Sequence, residues 1–279
     1  MFVSARARLR GYLRTAYHAR SLRTAWHLCT RRPGLAEVHL PGFSGSFRLR
    51  RGTSDVQFLR ALVSGDDPPE YALPPGVAPR VILDIGANIG AVTAAFVRAW
   101  PAARIYAFEP LPENVALLRH NLRQFPSVTV APYGLGAVTG VFAYERSDDP
   151  ANFGGGGFHG GGDIPQRRVP GLPVMAVSEA LAALGLQAVD VIKIDTEGAE
   201  HEILTSFPLD VLTGVQAIVG ELHRKSNDAA LLSFLARWFE LDVQRCPHTG
   251  APRYFRATPR PPALLPHRSA SLCAAARCT

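Results

Sequence analysis

Between Arg80 and Arg245 short apolar runs alternate with stretches whose apolar residues recur every three or four positions. Runs of this length read as strands, and the longer period reads as helix. VILDI (81–85) precedes a helical pattern over about 89–99, and RIYAFE (104–109) precedes another over about 112–124. SVTVA (127–131), VDVIKID (189–195) and VQAIVGEL (215–222) are further strands, with helices near 178–184 and 198–206. Strands separated by helices predict a parallel sheet covered on both faces. Right-handed crossovers bring the strand C-terminal ends to one edge, where such sheets bind ligands. The expected architecture over 80–245 is therefore α/β, a Rossmann-like, doubly wound, mostly parallel sheet.

Outside that span the pattern weakens. Residues 37–79 form a small N-terminal extension, with short strands around Pro41-Gly42, a helix over 54–64 and a proline-rich linker. In 1–36, Leu9, Leu13 and Tyr17 recur every four residues with Arg6, Arg10 and Arg14 beside them. A basic amphipathic helix of this kind can lie on an anionic membrane, and a solvated arm is the simpler alternative. The glycine-rich run at 152–162 suits either a lid or a linker. Residues 246–279, rich in Pro, Arg and Ala, read as a basic disordered tail.

Composition changes the picture in two places. The formal net charge is +7, but residues 1–32 hold eight Arg and 246–279 hold five, with no acid in either, so 33–245 carries −6. An acidic body with basic ends disfavours a nucleic-acid-binding face on the body. No run approaches about 18 apolar residues, and Arg, His and Tyr interrupt the N-terminus before a signal-peptide core could form. A cytoplasmic protein is the simplest reading, with peripheral contact at the inner membrane face through residues 1–32 left open. The four cysteines, Cys29, Cys246, Cys273 and Cys278, lack the short spacings of a zinc site, and no metal is expected.

The chemistry concentrates in two segments. In VILDIGANIG (81–90) a buried strand ends at Asp84, and Gly86 and Gly90 flank the turn into a helix. Asn88 stands where a dinucleotide fingerprint has its central glycine, which would crowd a pyrophosphate. Asp84 suits a cationic ligand better than an anionic one. Its simpler role is a helix cap, as the glycines' is a turn. Glu109 ends the next strand, where an acid accepts ribose hydroxyls. The ordered set Asp84, Gly86, Asn88, Gly90 and Glu109 favours a nucleoside cofactor with positive charge.

In VDVIKIDTEGAEHEIL (189–204) the strand delivers Asp195 to the ligand edge, and Glu197-Gly198 makes the turn. Glu200 and Glu202 sit where a helix dipole favours acids. Lys193 alternates with Ile192 and Ile194, which suits a buried ion pair. His223 follows the last strand and is either a base for a hydroxyl or an edge histidine. Asp195, Glu197 and His223 are unranked candidates for the catalytic base, and Glu221 reads as structural.

These segments resemble the FkbM-type methyltransferases. The likeness rests on DIGANIG (84–90), AFEPLPENVALLRHN (107–121), IKIDTEGAE (192–200) and VGELH (219–223), and more weakly on RLRRGTSDV (48–56) with Glu70-Tyr71. It implies a class I fold and S-adenosylmethionine as cofactor. Asp84, Gly86, Asn88 and Gly90 would surround the methionine end, with Glu109 on the ribose, while the strand-end position of Asp195 and Glu197 sets them over the cofactor. It implies O-methylation of a sugar, glycolipid or natural-product hydroxyl. Asn114 and Asn121 match family positions and read as packing residues. MAVSEAL (175–181) and the glycine-rich run depart from the family where the acceptor would be recognised. A nicotinamide oxidoreductase and a noncatalytic cofactor-binding scaffold are the competing readings. The first lacks a Tyr-x-x-x-Lys motif.

Overall fold

The computed structural model describes residues 5–30, 32–64, 71–147, 166–223, 225–245 and 252–261. The glycine-rich run, Glu70, Cys246, Cys273, Cys278 and the end of the chain from 262 lie outside the described residues.

The central sheet has seven strands. Five are parallel and lie in the order β10 (Ala217–Glu221), β9 (Val191–Ile194), β3 (Val81–Ile85), β4 (Arg104–Phe108), β5 (Val128–Ala131). Every residue of β3 and β9 is buried, which is why both read as unbroken apolar runs. Val81, Leu83 and Ile85 face one core with Ile192, Ile194 and Ile218. Ile82 faces the other with Ile105, Val191 and Val219. Each such aliphatic side chain stabilises the sheet by roughly 1.5–3 kcal/mol relative to exposure. Helices α4 (Ala91–Ala99), α5 (Pro112–Leu122), α6 (Val177–Ala183), α7 (Glu200–Thr205) and α8 (Leu209–Thr213) fall between strands, as the crossovers require.

The C-terminal segment corrects the sequence reading. Residues Pro252–Pro259 form β12, which pairs antiparallel with both β10 and β11 (Phe239–Arg245). Phe255 and Ala257 are buried in alternation. That period of two is hidden by the Arg and Pro around it. Helix α9 (Lys225–Leu235) precedes β11. A second sheet of three strands, β6 (Gly134–Gly136), β8 (Gln166–Ala176) and β7 (Gly140–Ser147), was not anticipated from the sequence.

The N-terminal part is layered on the sheet. Helices α1 (Ala5–Ala19) and α2 (Leu22–Cys29) contact α3 (Asp55–Ser64), and the hairpin β1 (Gly34–His39)–β2 (Ser46–Arg51) contacts α3 and α5. Asn121 on α5 fastens that hairpin. Its side chain accepts from Arg48 N–H at 2.6 Å and donates to the carbonyls of Arg48 and Ile89. No helix among the described residues is long and apolar enough to cross a membrane.

Candidate active site

The site begins with a cross-strand register. Asp84 on β3 is the direct neighbour of Lys193 on β9, so a carboxylate and an ammonium meet on one buried face. They lie 3.0 Å apart, and Thr93 donates to Asp84 Oδ2 at 2.6 Å. Lys193 Nζ also donates to the Gly86 carbonyl at 2.8 Å. Burial works against the charge of Lys193, but Asp84 and Asp195 more than offset it and its pKa is raised. Asp84 is fully buried and paired, outside the residues that line the cleft, and it holds Lys193 and, through it, the glycine turn.

Gly86 (φ +81°) is required twice over. A Cβ there would come within 1.9 Å of the Asp195 carbonyl, because the end of β9 lies against the turn. Asn88 follows in the left-handed region at φ +50°, which Asn tolerates. Its N–H donates to Glu109 at 2.9 Å, and its side-chain oxygen accepts from Arg50 at 3.2 Å. Gly90 starts α4 and packs under Leu118 and Leu122, outside the cleft lining.

Above the turn lies an open cleft of about 200 Å³. Gly86, Asn88 and Glu109 line one part of it, and Asp195, Thr196, Glu197 and Glu221 another. Glu109 accepts from Leu111 N–H, Asn114 and Asn88 N–H. Burial raises its pKa against those bonds and against Lys193. The carboxylate still has a lone pair for a ligand hydroxyl, since an ionised carboxylate accepts about four bonds.

The other end is a crowd of acids around one imidazole. His223 Nδ1 lies 3.0 Å from Glu200, and its Nε2 lies 3.0 Å from Glu221, 3.5 Å from Glu197 and 3.6 Å from Asp195. Burial alone would lower the His223 pKa. The hydrogen bonds to Glu200 and Glu221 prevail and push it up to about 12. In that state both ring nitrogens donate, to Glu200 and to Glu221. Glu197, in contrast, is raised to about 8, chiefly by burial and then by Asp195, Glu221 and Glu200 against the pull of His223. Its backbone sits at φ +55°, a sparsely populated state for Glu. Burial also raises Asp195, although Lys193 lowers it, and Tyr71 donates to its Oδ2 at 2.8 Å. Glu200 is a clamp: one oxygen accepts from Thr196 N–H, Thr196 Oγ1 and Gly198 N–H. Single ligand atoms of Asp195, Glu197 and His223 lie within 4.8 Å of one another, close enough to share one cation.

Sequence reasoning missed several contributors. Glu221 lines the cleft, as do Asn114, Tyr144, and Ser54, Gln57 and Phe58 at the start of α3. The GELH run held a signal for Glu221, since a carboxylate at the C-terminal end of a central strand points to the ligand edge. Tyr71 was marked only by the family resemblance, and nothing local tied it to Asp195, which it reaches across 124 residues.

The sequence model described as "Methyltransferase FkbM domain" matches residues 84–244. Among curated proteins, the chain is similar to 2-O-methyltransferase NoeI of Sinorhizobium fredii, at 23% identity over 167 residues, covering 56% of this chain and 65% of that protein. It is also similar to the AMB antimetabolite synthetase AmbE of Pseudomonas aeruginosa, at 28% identity over 213 residues, covering 62% of this chain. The chain thus spans 65% of the one and a tenth of the other. The crystal structure of methyltransferase FkbM from Methylobacillus flagellatus KT aligns with a TM-score of 0.49 and 16% identity, over 72% of this chain and 53% of that one.

Proposed function

The chain belongs to the FkbM methyltransferase family, and from that premise we propose that it methylates a hydroxyl oxygen of a sugar, glycolipid or natural-product acceptor, using S-adenosylmethionine and Glu197 as base. Membership decides against the nicotinamide oxidoreductase. The observation that carries the reading is that one cleft gathers Glu109 from the end of β4 with Asp195, Glu197 and Glu221 from the ends of β9 and β10. The relative NoeI, a 2-O-methyltransferase, supports oxygen as the acceptor atom.

The residues fit the cofactor. Gly86 lines the cleft with no side chain of its own, Glu109 offers an acceptor for ribose hydroxyls, and the acid cluster suits ammonium and sulfonium charge. When bound, the cofactor supplies a methyl group already activated by sulfonium. The protein's share is to orient the acceptor, exclude water and remove the hydroxyl proton. Orientation lowers the barrier by several kcal/mol. The carboxylate of Glu197 takes the proton, while His223, held cationic by Glu200 and Glu221, positions the acids around it. Asp195, fixed by Tyr71, lines the cleft beside it.

Calorimetry with S-adenosylmethionine, S-adenosylhomocysteine and NAD tests the cofactor. Binding of the first two is expected, and binding of NAD alone would overturn the reading. Glu109→Ala should weaken cofactor affinity by about 1.5–3 kcal/mol, since it removes a charged acceptor.

Methyl transfer is also expected to survive exhaustive chelation with EDTA. If activity is lost and a divalent cation restores it, Asp195, Glu197 and His223 form a metal site and the role of Glu197 as base is wrong.

A further inference from the structure

Helices α1 and α2 present two unlike sides. Their inner sides, with Thr15 and Ala19 on α1 and Ala25 and Leu28 on α2, are buried in the layer that includes α3. Their outer sides carry Leu9, Leu13 and Tyr17, which are 58%, 53% and 80% exposed, followed by Leu22 and Trp26 at 67% and 43%. Single exposed leucines are ordinary, but five large apolar side chains on consecutive helices form an exposed face among the described residues, with Trp26 partly covered by the Arg51 guanidinium 5.2 Å from its ring. Exposed Arg10, Arg20, Arg23 and Arg32 stand among them. Residues 1–32 hold eight Arg and no acid, whereas 33–245 carries a net −6.

We infer that this face docks on an anionic phospholipid surface. Charge selects the occupant. A second copy related by a twofold axis would set arginines against arginines. The segment from 246 onward is itself basic, with five Arg and no acid, and is repelled too. An anionic bilayer satisfies both features at once, because headgroups neutralise the guanidinium groups while Leu9, Leu13 and Leu22 enter the acyl boundary. Tyr17 and Trp26 suit the headgroup level, where one end of the ring is wet. Helix α3 contacts α1 and α2 and contributes Gln57 and Phe58 to the cleft, so docking brings the cleft within one helix of the bilayer.

The test is co-sedimentation of the full chain with vesicles of phosphatidylcholine, with and without phosphatidylglycerol, at low and high salt. Binding is read without cofactor or acceptor, so its failure is distinct from failure of the methylation reading. Because α1 and α2 pack on α3, surface substitutions are preferred to truncation, and thermal melts confirm that the variants fold. Binding to phosphatidylglycerol vesicles at low salt is expected, weakened by salt. Arg10→Gln with Arg23→Gln should reduce partitioning about 25-fold, at roughly fivefold per arginine. Leu9→Ser with Leu13→Ser and Tyr17→Ser should abolish it. No binding at low salt, equal binding to pure phosphatidylcholine, or an unaffected triple variant each overturns the inference. So does a dimer that the triple variant converts to monomer without any vesicle binding, since the face would then join two chains.

Discussion

Glu197→Gln is expected to lower kcat by about 10²- to 10⁴-fold, the usual range for loss of a positioned base. The cause lies in the position of the side chain. Glu197 lines the cleft, and its pKa is raised to about 8 by burial and by neighbouring acids. The deprotonated form is the active one, so kcat/KM should rise with pH through about 8. In Glu197→Gln that limb should disappear, because an amide has no proton to lose. His223 holds its own proton up to about 12 and adds no limb in this range. Cofactor affinity should change little, and the thermal midpoint should hold or rise, since one acid leaves a crowded group. Survival of both the rate and the limb would move the base to Asp195 or Glu221. Both line the same cleft as Glu197, so the substitution is the control that assigns the limb.

The second large effect is on stability. Lys193→Met should destabilise the protein by about 3–5 kcal/mol, because it strands the Asp84 carboxylate in a fully buried site with Thr93 as its remaining polar partner. For a chain of this size that corresponds to a fall in Tm of roughly 6–20 °C. Adding Asp84→Leu should restore much of the loss, since apolar groups that replace a buried pair together are often neutral or better. Cofactor binding should not return with it, because Lys193 also holds the Gly86 carbonyl. If the double variant is no more stable than Lys193→Met, the pair is not the source of the loss. Thermal denaturation with calorimetric titration separates the two effects.

The core of the fold was legible because burial leaves a local mark. Strands β3 and β9 are covered on both faces, so VILDI and VIKI stand out as apolar runs. The Gly86 turn and Glu109 were readable for a similar reason: a strand end followed by glycine, and an acid at the next strand end, are defined by short spacing. Strand β12 left no such mark, because its period of two is carried by Phe255 and Ala257 alone. It is a strand because β10 and β11 offer it two edges to pair with. A buried ion pair at Lys193 was legible, but its partner and the other charge states were not. Asp84 reads as a ligand contact until the register sets Lys193 against it across 109 residues. His223 reads as a base near neutrality until four carboxylates converge on its ring. The sequence by itself determined the parallel sheet, its ligand edge and most of the acids delivered there, since those follow from periodicity within a few residues. Only the tertiary structure decided which acid is free, which is paired and which holds a proton, because desolvation and Coulomb attraction act over a few ångströms and the chain brings those partners together from distant positions.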